Sequence, residues 1–437
     1  MRTCALLAVA CCVLSCISTA AAQPAAKGPF APGSPATGPA GQEPSTQEAD
    51  DDCDDPDTCN DWGSRCEIGE DTDGWLGRCN AFRHELDKKY GTRIGAVASY
   101  QGQLALDGPR REGKGKSAFS YELNVEQDIW AGGMIFAQAE GGSGRGIDSV
   151  FPTLGGLNGD AGEEDCIRLD ELYLQQSALD RRLQLAVGKL DLSNFFDLNA
   201  AANCENSQFL APSLINNPTI PFPEAGLGAV VKASPSRLWY VQAGVADAQA
   251  EANETGLNTA FHGRDDSFSI FEAGLSPRLA GRQGNYRAIF WYDPQPTERI
   301  DGRGLVRDDS GVAFSLDQEV TGRVTLFARY GLAHETVRQV EHFWSVGGQL
   351  AGPFESRKDD VAGLGVGQAI TGADFRRASG ASPRETIMEA YYKIVLCENL
   401  EITPNMQVIL DPAASTASGG DSADAGVVAG VRMVLRF

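Results

Sequence analysis

The last strand of this chain is the feature that most limits how the sequence can fold. Residues 429–437 place Ala429, Val431, Met433, Leu435 and Phe437 on one face and Gly430, Arg432, Val434 and Arg436 on the other. Apolar side chains opposite arginines are expected when one face of a strand meets lipid and the other meets water. The pattern therefore predicts a strand of a transmembrane β-barrel.

The amino terminus has the order of parts found in a secretory signal. Arg2 supplies the charged region, an apolar run covers residues 5–14, and Ala20-Ala21-Ala22 precedes Gln23. We expect residues 1–22 to be a signal peptide, and the alternative is a lipoprotein signal that ends before Cys16. After residue 22 no stretch approaches the ~20 apolar residues of a membrane helix. A membrane protein of this composition must therefore be a barrel, which satisfies all backbone polar groups in lipid.

The net charge of −22 is concentrated in one segment. Residues 43–73 hold 13 acidic residues against Arg65 alone, which gives this segment a charge of −12. Because no region concentrates the basic charge that phosphate contacts need, nucleic acid is excluded as a partner. The four histidines are not accompanied by a nucleophile motif. We therefore expect no enzyme activity and no cofactor.

Composition divides the region before the barrel into two parts. Residues 23–49 are rich in Pro, Ala, Gly and Ser and predict a disordered linker. Residues 50–90 form an acidic, cysteine-containing segment that we place in the periplasm, where it could act as a small cap or plug. The β-barrel is then expected over residues 91–437.

From Thr92 onward the chain contains about 16 candidate strands, and many of them alternate with period two. One example is Phe119, Tyr121, Leu123 and Val125, which oppose Ser120, Glu122, Asn124 and Glu126. Period two with one apolar and one charged face is the pattern of a barrel strand. About 16 strands enclose a water-filled channel, whereas eight would be filled by side chains.

The connections between these strands alternate in length. Long connections are expected near 105–116, 142–166, 192–224, 248–266, 294–308, 333–341, 369–384 and 411–423. Short ones are expected near 127–130, 177–181, 234–236, 277–283, 319–321, 351–358 and 398–399. Outer-membrane barrels have short periplasmic turns and longer external loops. The sequence thus predicts an all-β, 16-stranded antiparallel barrel in the outer membrane of a Gram-negative-type bacterium, embedded in its lipid.

The third long connection, residues 191–224, is predicted to fold into the channel. It contains Phe195, Phe196, Phe209 and Phe222, which a loop in open solvent would not need. Long loops without regular structure are usually functional or disordered, and these aromatic residues argue against disorder. We therefore expect a constriction, with polar groups supplied by Asp197, Asn199, Asn216 and Asn217. The alternative is an ordered external cap that does not touch the permeating solute.

Several motifs in this region resemble one family. The order GKLD (188–191), Phe196-Asp197, NPTIPFP (217–223) and GLGAV (226–230) is similar to a hallmark of carbohydrate-selective porins of the OprB type. The segments RLDELYLQQ (168–176), GNYRAIFWY (284–292), LFARYGLA (326–333) and ETIMEAYYKI (385–394) also resemble that family. The resemblance covers roughly residues 74–437 and implies an outer-membrane channel that passes mono- or oligosaccharides by diffusion. The acidic four-cysteine segment departs from the family pattern. This departure leaves an alternative open. The chain could be a general or structural outer-membrane barrel whose acidic segment binds a periplasmic partner or plugs the pore.

Strand parity predicts which side chains of the wall face the channel. Selectivity for neutral sugars would come from pore width, hydrogen-bond partners and flat aromatic surfaces, of which Trp291 is the best candidate. The predicted channel-facing wall residues are Glu122, Glu171, Tyr173, Arg287, Trp291, Asp317, Arg329, Glu389, Lys393 and Arg432. The carboxyl-terminal strand, ending at Phe437, is the expected recognition element for the barrel-assembly machinery.

Seven cysteines remain after residue 22, and an exported protein sits where disulfides persist. Cys166 and Cys204 fall in the second and third external loops, so we predict that they are bonded to each other. Cys53, Cys59, Cys66, Cys79 and Cys397 fall on the periplasmic side, where pairing leaves one thiol over. Gaps of 6, 7 and 13 between the first four do not suit a zinc site, and no metal is expected.

Overall fold

The structure is a computed structural model that describes residues 75–108, 114–161, 167–260, 267–414 and 425–437. A helix, α1 (Trp75–Tyr90), leads into sixteen long strands. The strands are β1 (Thr92–Asp107), β2 (Gly115–Trp130), β3 (Gly133–Gly144), β4 (Ile167–Ala178), β5 (Leu183–Leu190), β6 (Gly226–Ala233), β7 (Trp239–Asp247), β8 (Ser267–Leu275), β9 (Arg282–Asp293), β10 (Asp309–Thr321), β11 (Val324–Leu332), β12 (Val340–Ala351), β13 (Val361–Thr371), β14 (Arg384–Cys397), β15 (Leu400–Leu410) and β16 (Ala425–Arg436).

The strands form one closed antiparallel barrel. Each strand pairs with the next along the chain, and β16 returns to β1 with Val97 opposite Arg436 and Leu104 opposite Ala429. The sheet counts 17 strands because the two-residue strand Arg278–Leu279 extends the hairpin between β8 and β9, which leaves sixteen in the wall. The predicted strand number and the closed architecture are confirmed. Closure removes the unpaired edge that an open sheet would expose.

The two faces of the wall differ in the way that the alternation predicts. In β16, Val431 and Met433 are exposed on the outer face, whereas Arg432 and Arg436 are buried on the inner face. The same contrast separates Leu123 from Asn124 in β2. Among the described residues, helices are all too short or too polar to cross a membrane.

Short and long connections lie at opposite ends of the barrel. The short-turn end is formed by residues 131–132, 179–182, 234–238, 276–281, 322–323, 352–360 and 398–399. The described residues of the long-loop end are 108, 114, 145–161, 191–225, 248–260, 294–308, 333–339, 372–383 and 411–414. The alternation expected from the sequence is therefore confirmed.

The helix α1 lies at the short-turn end, where it joins the start of β1. Arg93 of β1 bonds to Asp87 of the helix at 3.1 Å and to Asp128 of β2 at 2.8 Å. These ion pairs hold the helix against the rim of the barrel. The sequence pattern did not predict the helix α1.

Candidate functional site

The connection between β5 and β6, residues 191–225, lies inside the barrel and is called the inner loop below. It opens with a short 3₁₀ helix (Leu192–Asn194), capped by the Asp191 carboxylate, which accepts from the Ser193 amide at 2.8 Å. A single helical turn (Pro212–Ile215) follows, with proline at its first position, where a missing N–H costs nothing. Because the inner loop pairs with no strand, its backbone N–H and C=O groups outside these short helices need hydrogen-bond partners from the barrel wall.

The apolar residues of the inner loop pack on the inner face of the wall in two clusters. Phe195 and Phe196 join one cluster with Tyr173, Phe268 and Trp291. In the second cluster, Phe209 of the loop packs against Phe327 and Tyr391, at ring distances of 5.6 and 5.1 Å. The loop is thus seated by hydrophobic contact on opposite parts of the barrel.

A fully buried ion pair fixes the middle of the inner loop. The Arg329 guanidinium of β11 donates to the Asp197 carboxylate at 3.2 Å, and both side chains have 0% exposure. Arg329 also donates to the carbonyls of Asp197 (2.8 Å) and Leu214 (2.9 Å). The Asn217 amide donates to the same carboxylate at 2.7 Å. Burial raises the pKa of Asp197, and the nearby Arg329 guanidinium opposes this shift.

Two wall carboxyl groups hold the inner-loop backbone, one at its start and one in its second half. Glu389 of β14 accepts from the amides of Leu210 (2.8 Å) and Ala211 (2.9 Å). Glu171 of β4 accepts from the Asp191 amide at 2.8 Å. Each carboxyl group thereby supplies an acceptor to loop amides that have no partner in a strand ladder. The predicted residues Glu171 and Glu389 therefore bind the loop itself.

Other predicted residues also join the inner loop to the wall or join two strands of the wall. Asn199 of the loop donates to the Ser315 hydroxyl at 3.2 Å, and Arg432 of β16 donates to the Gln208 carbonyl at 3.0 Å. The wall pair Arg287–Asp317, at 2.7 Å, is almost completely buried. The structure brings two sets of predicted residues into direct contact: Asp197, Asn217 and Arg329 form one set, and Arg287 and Asp317 form the other.

Three predicted residues are only partly buried. Glu122 of β2 accepts from the Asn206 side-chain amide at 2.9 Å, and Lys393 of β14 lies 3.6 Å from the Glu401 carboxylate. Asn216 lies in the inner loop and is also half-buried. These side chains keep contact with solvent-accessible space, whereas most of the other predicted residues do not.

The predicted aromatic surface is covered. Trp291 has 0% exposure, stacks on Phe268 at a ring distance of 6.3 Å and lies 5.7 Å from the Arg338 guanidinium. Tyr173 is 3% exposed and stacks on Phe136. A sugar could stack on Trp291 only after its covering neighbours move, so the stacking role stays a prediction.

A second connection also lies inside the barrel. Its inward path was not predicted from the sequence. Residues 145–161 bury Phe151 and Leu157, and the Leu157 carbonyl accepts from Gln407 of β15 at 2.8 Å. Glu385 of β14 accepts from the Leu154 amide at 2.6 Å. Glu385 was not among the predicted residues, although it shares the strand parity of Glu389, which was predicted to face inward. That its partner would be this loop was not readable from the sequence.

Lys189, which was not among the predicted channel-facing residues, also holds a loop. Its ammonium group donates to the carbonyls of Leu169 (2.7 Å), Ala252 (2.8 Å) and Glu254 (2.7 Å). Two of these carbonyls belong to the connection 248–266. Lys189 therefore fixes that connection at the rim of the barrel.

The predicted disulfides remain predictions. Cys204 is buried in the inner loop, and its predicted partner Cys166 lies outside the described residues, as do Cys53, Cys59 and Cys66. Within the described chain, Cys79 and Cys397 carry separate thiols.

Comparison with known proteins yields one family and several distant relatives. A family model described as "Carbohydrate-selective porin, OprB family" matches residues 107–437. Porin B of Pseudomonas aeruginosa is 22% identical over 315 residues, which is 62% of this chain and 68% of that protein. Porin AaxA of Chlamydia abortus is 21% identical over 56% of this chain and 53% of its own length. The high-pH structure of Pseudomonas putida OprB superposes with a TM-score of 0.70 at 20% identity, covering 83% of this chain and 97% of that one.

Proposed function

This chain belongs to the carbohydrate-selective porin family of the OprB type, and we propose that it lets small sugars diffuse through a channel narrowed by the inner loop. Its family and barrel are those of an outer-membrane channel rather than an enzyme. Mono- and oligosaccharides are the proposed solutes. Lipid surrounds the apolar outer face, and residues 1–22 are proposed to direct export.

The observation that carries the proposal is the path of the inner loop. The loop is held at one point by Glu171 of β4 and at another by Glu389 of β14. In a closed barrel of sixteen strands, β4 and β14 are six strands apart by the shorter route, through β16 and β1. A segment fastened to both must span the interior, and it therefore reduces the cross-section open to a solute.

The charges of the interior support a neutral solute. The pairs Arg287–Asp317 and Arg329–Asp197 are closed on protein partners and are buried, so they present little net field to a solute. The predicted groups that keep some exposure are the Asn216 amide, the Glu122 carboxyl group and the Lys393 amine, which lies 3.6 Å from the Glu401 carboxyl group. Groups of this kind offer hydrogen bonds that suit hydroxyl groups.

Liposome swelling tests this function. Purified, folded protein in liposomes should admit glucose quickly and a disaccharide more slowly, since width and hydrogen bonding both limit passage. Absence of sugar-dependent swelling, from protein shown to be folded by its heat-dependent mobility on a gel, would overturn the proposal.

A loop-deletion variant tests whether the inner loop sets the width of the channel. Replacing residues 199–217 by a short Gly-Ser linker should raise the disaccharide rate several-fold and leave the glucose rate little changed. The matched control shortens residues 297–306, which lie in another connection at the same end. Equal effects of the two deletions would show that the inner loop does not set the width.

A further inference from the structure

Exposed arginines cluster on four consecutive turns at the short-turn end. The turns 179–182, 234–238, 276–281 and 322–323 contain five arginines and one acidic residue, Asp180, so their net charge is 5 − 1 = +4. All five side chains are exposed. We call them the basic arc: Arg181, Arg182, Arg237, Arg278 and Arg323.

Neighbouring charges confine this positive potential to half of the rim. Arg282, beside the arc, is paired with Glu319 at 2.7 Å. In the next turn, 352–360, Arg357 is bonded to Asp360 at 2.8 Å, and two further carboxylates exceed the single lysine there. Among the described turns of this end, the excess of positive charge therefore extends from β4 to β11, and Lys88 and Lys89 of α1 are further exposed cations at the same mouth.

The most acidic part of the chain joins the barrel at the same end. Residues 43–73 carry a charge of −12 and precede α1, which lies at this mouth. Arg83 of α1 interacts electrostatically with Glu398 in the turn between β14 and β15, and its burial lowers its pKa to about 10. The helix thus brings the acidic segment to the mouth that carries the basic arc.

The segment is long enough to reach the arc. The 24 residues between positions 50 and 74 extend to at most roughly 80 Å, at about 3.3 Å per residue. Sixteen strands about 4.8 Å apart and tilted about 40° enclose a mouth roughly 30 Å across. The aspartates at 50–57 can therefore reach every arginine of the arc.

We propose that the acidic segment, residues 43–73, binds the basic arc of its own barrel at the short-turn mouth. Arginine and carboxylate form charge-assisted and often bidentate hydrogen bonds. The tether holds the segment at a millimolar effective concentration, an advantage over any free anion. The competing partners, an anionic lipid headgroup or a separate protein, lack this tether and are outcomes of the test.

Site-specific photo-cross-linking tests the proposal in the full-length protein. A benzoylphenylalanine placed at Asp52, in zwitterionic nanodiscs that hold one barrel each, should cross-link to peptides containing the four turns. The yield should fall several-fold between 20 mM and 1 M salt, because screening shortens the reach of exposed charges. The same probe placed at Asp301, at the long-loop end, should not label these turns.

Charge variants decide between electrostatic docking and simple proximity. Changing the five arginines of the basic arc to glutamine should reduce the cross-links at least tenfold. The matched control changes five exposed arginines at the long-loop end, R145Q, R303Q, R307Q, R377Q and R384Q, and should leave the yield unchanged. Reversing the arc to glutamate, together with Asp50, Asp51, Asp54, Asp55 and Asp57 to lysine, should restore the cross-link yield.

Three results would overturn the proposal. These are labelling of lipid alone, labelling of a second protein alone when cells are irradiated, or an unchanged yield after neutralisation of the arc. Liposome swelling of the same variants keeps this inference separate from the proposed function. An unchanged cross-link yield with normal swelling overturns the docking alone, whereas loss of sugar-dependent swelling in the wild-type protein overturns the proposed function.

Discussion

At the scale of single residues, the Asp197–Arg329 pair is the contact that most directly ties the inner loop to the wall. Changing Arg329 to glutamine leaves a buried carboxylate without its counter-charge, which typically costs about 3–5 kcal/mol. We expect lower thermal stability and faster disaccharide entry into liposomes. The control is Arg282→Gln, which breaks a half-exposed rim pair and should cost no more than about 1 kcal/mol. Similar losses in both variants would contradict the anchoring role.

Gly331 gives a second test at this scale. A Cβ atom there would lie 2.0 Å from the Thr219 hydroxyl and 2.5 Å from the Asn217 side-chain oxygen, so alanine cannot fit while the loop is seated. Overpacking of this kind costs about 1–3 kcal/mol. Gly331→Ala should therefore make the inner loop easier to cut by protease. Gly102→Ala, whose nearest neighbour is 3.7 Å away, should not.

The buried carboxyl group of Asp160 predicts that the stability of the fold depends on pH. It lies in the second inward connection, accepts from the Ser120 hydroxyl at 2.6 Å, and has a pKa raised to about 6, chiefly by burial. A carboxyl that binds its proton more tightly in the folded state destabilises the fold above that pKa. The penalty is therefore absent below about pH 4 and complete above about pH 6.

The expected size of this effect is about 3 kcal/mol, from a shift of about two pKa units. Asp160→Asn removes the titrating group, so the stability difference between the variant and the wild-type protein should grow between pH 4 and pH 6. Thermal unfolding at a series of pH values measures it. A difference that is constant with pH would show that Asp160 does not titrate in this window.

At the scale of elements, the pairing of β16 with β1 that closes the barrel is extended by Phe437, the residue that follows β16. The Phe437 amide donates to the Ala96 carbonyl at 2.8 Å, and the Ala96 amide donates to the Phe437 carbonyl at 3.0 Å. Removing Phe437 deletes its two hydrogen bonds to Ala96. It also deletes the terminal aromatic ring that is proposed for recognition by the assembly machinery. We expect a several-fold lower yield of folded barrel in cells, measured by heat-dependent gel mobility. Phe437→Tyr should assemble normally.

The strands and the inner loop differ in how far the sequence predicts them. Alternation places Glu171, Arg287 and Glu389 on the inner face without knowledge of their partners, because period two depends only on local backbone geometry. The phenylalanines of the inner loop likewise predict burial. The second inward connection was missed, since its anchors are remote: Leu154 and Glu385 are 231 residues apart.

At the scale of the whole molecule, the apolar outer band predicts where the bilayer lies. Leu123 is 47% exposed in the middle of β2, and Leu257 is 58% exposed in a connection at the long-loop end. An arginine on the lipid face costs about 2–4 kcal/mol at the midplane and about 0–1 near the interface. Leu123→Arg should therefore destabilise the protein in bilayers much more than Leu257→Arg does. Equal effects would place the membrane elsewhere.

The sequence by itself determined the number of strands, their faces and the alternation of turns and loops, because each depends on residues close together along the chain. Only the tertiary structure decided what the inward charges do. Arg329 and Glu389 bind the inner loop, and Trp291 is covered, because closing the barrel brings distant strands and loops into one small interior. In so confined a space, buried charges must find protein partners, and which partners they find depends on the closed shape.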